Sequence, residues 1–243
     1  MDHEPRTRQR LARLTGFLYL LIAVGGMFAG TVSGGLAVPG DAAATAHHVL
    51  ASLALGRASL VVWLLVLPAD VAVAVTLYIL LKPAGAAASL LAAALRVLYA
   101  AIQGANLLNL FHALAPGQAN AQVLHALDAY GTGFQLGLVC FGLHLIVLGY
   151  LLVRSGAVPR VLAVLVAASG IGYGADNLGR LLMPGFGGTA GAALLAAAAL
   201  GELGLTFWLL VKGVRAGAVM GNAVHAHSAA AEPYTTTAVG GAS

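Results

Sequence analysis

Charge is the scarcest resource in this chain. Only 8% of its 243 residues are Asp, Glu, Lys or Arg, against roughly 25% in an ordinary soluble domain. A chain this poor in charge cannot cover the surface of a water-soluble globule of its size, so a separate soluble domain is excluded. Cysteine is nearly absent as well. The single Cys140 rules out an internal disulfide and, inside an apolar run, reads as a small apolar core residue. The motifs of familiar chemistry are also missing: there is no His-Glu-x-x-His, no Gly-x-Ser-x-Gly and no P-loop, and no nucleophile–base pair at a supporting spacing.

What fills the sequence instead is apolar: 60% hydrophobic residues, 32 glycines and a mean hydropathy of +0.92. Runs of ~20 apolar residues are long enough to cross a bilayer, and small residues let membrane helices approach closely. The expected fold is all-α: a polytopic membrane protein with six transmembrane helices and short outer-side helices. The spans are read at about 14–32, 58–81, 86–112, 133–153, 161–178 and 189–211. The expected division is a basic cytoplasmic segment at 1–13, a transmembrane domain at 14–213 and a disordered cytoplasmic tail at 214–243.

The loops carry their own signals. Val38-Pro39-Gly40 is a turn, and Asp41 is placed to cap a short helix after it. Pro116-Gly117 opens another outer connection, with a short amphipathic segment around His125 and Asp128. The net charge of +4 does not point to nucleic acid, because the basic residues sit at helix ends rather than on one face. Arg6, Arg8, Arg10, Arg13, Lys82, Arg154, Arg160, Lys212 and Arg215 fall on the side of the N-terminus, and only Arg57 and Arg180 fall at the opposite ends. That bias places both termini in the cytoplasm of a bacterial cell (inner) membrane.

The third span holds the sharpest signal. Arg96, Tyr99, Gln103 and Asn106 step by three, four and three, so they form one polar stripe on a helix. Lipid cannot satisfy an arginine, so the stripe must face other helices or a wet cavity. At ~1.5 Å per residue, Asp70, Arg96, His144 and Glu202 each fall near the middle of their own spans. An Asp70–Arg96 pair is the simplest resolution, with Glu202 competing for the guanidinium and His144 hydrogen-bonding the leftover carboxylate. Gln103, Asn106, Asp176 and Arg180 extend the set toward the outer side. Asp41, His47, His48, His112, His125 and Asp128 gather on that side too, at spacings that match no metal motif. No metal or cofactor is predicted.

Several stretches resemble a known family. They are 36–46 with Val38-Pro39-Gly40-Asp41, the Asp70 region followed by Tyr78 and Lys82-Pro83, and Leu95-Arg96 with Asn106-Leu107-Leu108-Asn109. The clearest is Phe141-Gly142-Leu143-His144-Leu145 running on through Gly149-Tyr150 to Arg154-Ser155-Gly156 and Pro159-Arg160. Together they resemble the bacterial membrane family known as domain of unknown function 4386, over about 11–212. The resemblance implies a multi-spanning integral membrane protein and brings no activity, cofactor or catalytic residue.

Three functional expectations follow. The first is a membrane protein that binds or moves a small solute or a proton through a mid-membrane polar site. The second is a non-catalytic accessory or sensory subunit packed against a membrane-protein partner. The third is an intramembrane enzyme acting on a lipid or quinone. The same polar groups also admit a purely structural network that fixes helix register. The bilayer itself is the one certain partner.

Overall fold

The computed structural model describes residues 3–183, 186 and 188–215. All regular structure among them is helical. The helices are α1 (His3–Gly34), α2 (Ala42–Ala51), α3 (Leu53–Leu81), α4 (Ala86–Ala113), α5 (Asn120–Ser155), α6 (Arg160–Leu182) and α7 (Gly188–Val211). Five of them, α1 and α3 to α6, are long and apolar enough to cross a bilayer, and α7 adds a shorter apolar stretch over Ala199–Val211. Large apolar side chains such as Phe17, Met27, Leu64, Leu108, Ile171 and Phe207 lie more than half exposed around the bundle. In water that surface would aggregate; in hydrocarbon it is solvated. The chain is a multi-pass, all-α integral membrane protein.

Neighbouring helices close a ring. α1 packs on α3, α3 on α4, α4 on α5, α5 on α6, α6 on α7, and α7 returns to α1. Small residues make the closest seams. A Cβ on Gly142 would meet the Gly170 carbonyl at 2.7 Å, and one on Gly16 would meet the Leu210 amide at 2.5 Å. Both approaches are backbone against backbone, so glycine is required there by space rather than by conformation.

The two ends of the ring differ in charge. At one end Gln9 donates to the Lys212 carbonyl at 2.6 Å, Arg8 to the Leu80 carbonyl at 3.2 Å, and the Arg215 amide to the Ala157 carbonyl at 3.1 Å. These bonds gather the start of α1, the end of α3, the α5–α6 turn and the end of α7, and with them the nine basic residues of that side. The α5–α6 turn is closed by Gly156 at φ +63°, a left-handed C-cap that favours glycine.

At the other end two local features differ from the sequence pattern. Asp41 does cap α2, its Oδ1 accepting from the Ala44 amide at 2.9 Å, but the helix stops at Ala51 and α3 already begins at Leu53. The segment with His125 and Asp128 is not a separate short helix. It is the start of the continuous α5, because nothing between Asn120 and Gly133 breaks the helix and the Thr132 hydroxyl folds back onto the Asp128 carbonyl at 3.0 Å. At the basic end α1 begins at His3, so the basic residues Arg6 to Arg13 lie on the same helix as the first span. The expected tail lies outside the described residues from 216 on.

Candidate functional site

The ring brings one polar or aromatic-polar side chain inward from each of its six helices: Tyr19 from α1, Asp70 from α3, Arg96 from α4, His144 from α5, Tyr173 from α6 and Glu202 from α7. Asp70 and Arg96 are fully buried and His144 nearly so. Arg96 is the hub. Its Nη2 donates to Asp70 Oδ1 at 2.5 Å, and its Nη1 is shared between the Tyr19 hydroxyl at 3.0 Å and His144 Nε2 at 3.3 Å.

The histidine's protonation pattern follows from its contacts. His144 Nδ1 faces the Ala92 carbonyl at 2.8 Å. A carbonyl only accepts, so Nδ1 carries the proton and donates. Nε2 faces a guanidinium, which only donates, so Nε2 accepts and the ring is neutral.

Aromatic rings line the remaining space. The Arg96 guanidinium lies 4.7 Å from the Tyr19 ring centre and 5.3 Å from that of Phe141, within reach of their negative faces. Phe141 also stacks on His144 at 5.7 Å and meets Tyr173 edge-on at 5.7 Å. It thus joins the ring of His144 to that of Tyr173, whose near neighbour is Glu202.

The network is incomplete. The Asp70–Arg96 contact uses one oxygen and one terminal nitrogen, not the two-pronged fork that a guanidinium and a carboxylate can form. Arg96 Nε and Asp70 Oδ2 are buried with no partner among the described residues, and so is Glu202 Oε1. A spare donor and two spare acceptors are thus buried inside the ring, where an unmet polar group is costly.

The rest of the expected set is distributed differently. Gln103 donates to the Phe134 carbonyl at 3.4 Å and Asn106 to the Tyr130 carbonyl at 2.8 Å. Both side chains lie over glycines of α5: a Cβ on Gly137 would meet Gln103 Cδ at 3.0 Å, and one on Gly133 would collide with the Asn106 amide. The lower stripe of α4 is therefore tied to the α5 backbone. Asp176 and Arg180 form their own pair within α6 at 2.8 Å. Among the described residues Glu202 makes no ion pair with Arg96, and His144 meets the arginine rather than the leftover carboxylate.

Reasoning from sequence missed Tyr19, Phe141 and Tyr173. A usable signal was present for the first: a tyrosine in the middle of a span, instead of at its interfacial end, needs a partner for its hydroxyl. Pro68, two residues before Asp70 and inside α3, was missed too. It has no amide to give the Leu64 carbonyl, so it loosens the helix beside the ion pair. On the outer side His47, His48, His112, His125, Asp41 and Asp128 are exposed. Among the described residues no three His, Cys, Asp or Glu side chains come together as metal ligands.

Fold and site together define a class: a helical-ring membrane protein with a buried ion pair at the level of its midpoint. The chain belongs to the family described as domain of unknown function (DUF4386), whose pattern matches residues 14–213. An uncharacterised protein of Archaeoglobus fulgidus is 34% identical over 149 residues, covering 61% of this chain and 80% of that relative. No solved structure matches the chain.

Proposed function

We propose that the six-helix ring binds or passes a proton or a small polar solute at mid-membrane, at the site formed by Asp70, Arg96, His144 and Glu202. The observation that carries this reading is the set of spare polar atoms. Arg96 Nε, Asp70 Oδ2 and Glu202 Oε1 are buried and unpaired among the described residues, and an occupant with both donor and acceptor character would satisfy them together. Such groups inside a membrane bundle are a site hypothesis by default. Tyr19, Phe141 and Tyr173 would shape the space, and Gln103, Asn106, Asp176 and Arg180 mark the direction of the less basic end. The ring lies in the inner membrane of a bacterial cell with both termini in the cytoplasm, since nine of the twelve basic residues share the termini's end. The chain then comprises a short basic N-terminal segment, the transmembrane domain and a cytoplasmic tail. No cofactor is assigned.

Proteoliposomes loaded with the pH dye pyranine test the proton arm. Under an imposed membrane potential the wild-type chain carries more proton flux than empty vesicles, and Glu202→Gln and Asp70→Asn reduce it at equal reconstituted yield. Flux equal to empty vesicles for all three removes that arm. Thermal-shift screening of small polar solutes against wild type and Glu202→Gln then tests the other: a wild-type-only shift supports it, and none removes it.

A second reading has its own observation. Arg96 ties α1, α3, α4 and α5 together through Tyr19, Asp70 and His144, which is what a register-fixing structural network would do.

A further inference from the structure

At the less basic end the helices leave an open cleft of about 180 Å³. Its floor is apolar and buried, formed by Ala46 and Val49 of α2 and Val123 of α5. Leu50 and Leu53 form one wall, and the Pro116–Gly117–Gln118 turn the other. One charged residue lines it, Arg57, which is exposed. Among the described residues the ion pairs are Asp70–Arg96 and Asp176–Arg180, so Arg57 has no carboxylate partner there. Asn120, the first residue of the 36-residue α5, also lines the cleft, so the positive end of that helix lies beside the same space.

The surroundings say what would enter. Arg57 is one of only two basic residues at this end, so it does not belong to the cytoplasmic charge bias. It sits at the mouth of α3, where the apolar span begins. One and two turns further along the same stripe lie Val61 and Leu64, 55% and 57% exposed, at spacings that put them on the same helix face as Arg57. Leu50, at the rim, is 72% exposed. A positive group at the membrane boundary, followed by an unbroken apolar track into the bilayer, matches a molecule with an anionic head and a hydrocarbon tail. A soluble anion would use the arginine and leave the track unexplained.

We propose that this cleft is a site for an anionic phospholipid, its phosphate held by Arg57 and the start of α5, its acyl chain laid along Val61 and Leu64 of α3. The site is separate from the mid-membrane cluster and does not depend on what that cluster binds.

The test uses the full chain in mild detergent with a phosphatidylglycerol probe carrying a photoreactive diazirine in its acyl chain. Cross-linked peptides are mapped by mass spectrometry. The wild-type chain labels in the peptides spanning the α2–α3 joint and the first turns of α3. Arg57→Gln and Leu50→Asp, both at exposed positions and both checked for wild-type circular dichroism, lower that labelling about fivefold, as expected for one basic residue at an anionic membrane surface. A phosphatidylcholine probe labels the same peptides more weakly, and inorganic phosphate at constant ionic strength does not displace the lipid. Undiminished labelling in either variant, equal labelling by the phosphatidylcholine probe, or displacement by inorganic phosphate overturns the proposal, the last pointing to a soluble anion.

Discussion

The described residues hold two aspartate–arginine pairs, and they do different things. Asp70–Arg96 joins α3 to α4, both side chains about 1% exposed. Asp176–Arg180 lies within one turn of α6, its arginine 32% exposed. Each leaves one carboxylate oxygen buried without a partner among the described residues. The first pair is held between helices and reaches two more through Tyr19 and His144, so its geometry depends on the whole ring. The second would form on α6 in isolation. The same two residue types thus act as a tertiary element at the midpoint and as a local helix contact near the end. Placement, not chemistry, separates them.

The largest effect should come from breaking the first pair on one side only. Arg96→Leu leaves Asp70 buried with no cation and should lower unfolding free energy in mixed micelles by ~3–5 kcal/mol, while the Asp70→Leu, Arg96→Leu double variant recovers most of the loss. A double variant no better than the single would mean that the pair is not the coupled unit described. Next in size is Tyr19→Phe, which removes a neutral acceptor of a charged donor and should cost about 1.5–3 kcal/mol. If that cost persists in the Asp70→Leu, Arg96→Leu background, Tyr19 acts by packing alone. Gly133→Ala pushes a Cβ into the Asn106 amide and should cost about 1–3 kcal/mol. The loss should shrink when Asn106→Ala is added, and an additive result would place the clash elsewhere. The smallest effect belongs to the second pair. Arg180→Ala should cost about 1–2 kcal/mol: the buried Asp176 loses its cation, but the arginine is 32% exposed, so water can take its place and the loss stays below that of Arg96→Leu. A loss as large as that of Arg96→Leu would erase the contrast between the two pairs.

The first pair was legible in the sequence for a physical reason. Hydrocarbon forces charges to pair, so depth along each span is enough to nominate Asp70 for Arg96. The stripe of Arg96, Gln103 and Asn106 followed from helical period alone. What could not be read was which groups meet across the ring. Whether Glu202 faces Arg96 or Tyr173 depends on α6 standing between α5 and α7, which no local pattern encodes. Phe141 and Tyr173 were missed because a span full of Leu, Val and Phe gives no reason to single them out, although both pack against the polar groups. The continuity of α5 was hidden because the apolar run only starts at about 133, while the polar first turns from Asn120 on read as a separate segment.

The central claim is that the mid-membrane cluster is shaped for an occupant rather than closed on itself. The most direct measurement is a high-resolution crystal structure grown from a lipidic mesophase. The account predicts ordered polar density within hydrogen-bonding distance of Arg96 Nε and Asp70 Oδ2, with the ion pair still single-pronged. An Arg96 guanidinium turned to a two-pronged contact with Asp70, Glu202 Oε1 satisfied by a protein donor and a dry lumen would contradict it, and would make the ring a structural network.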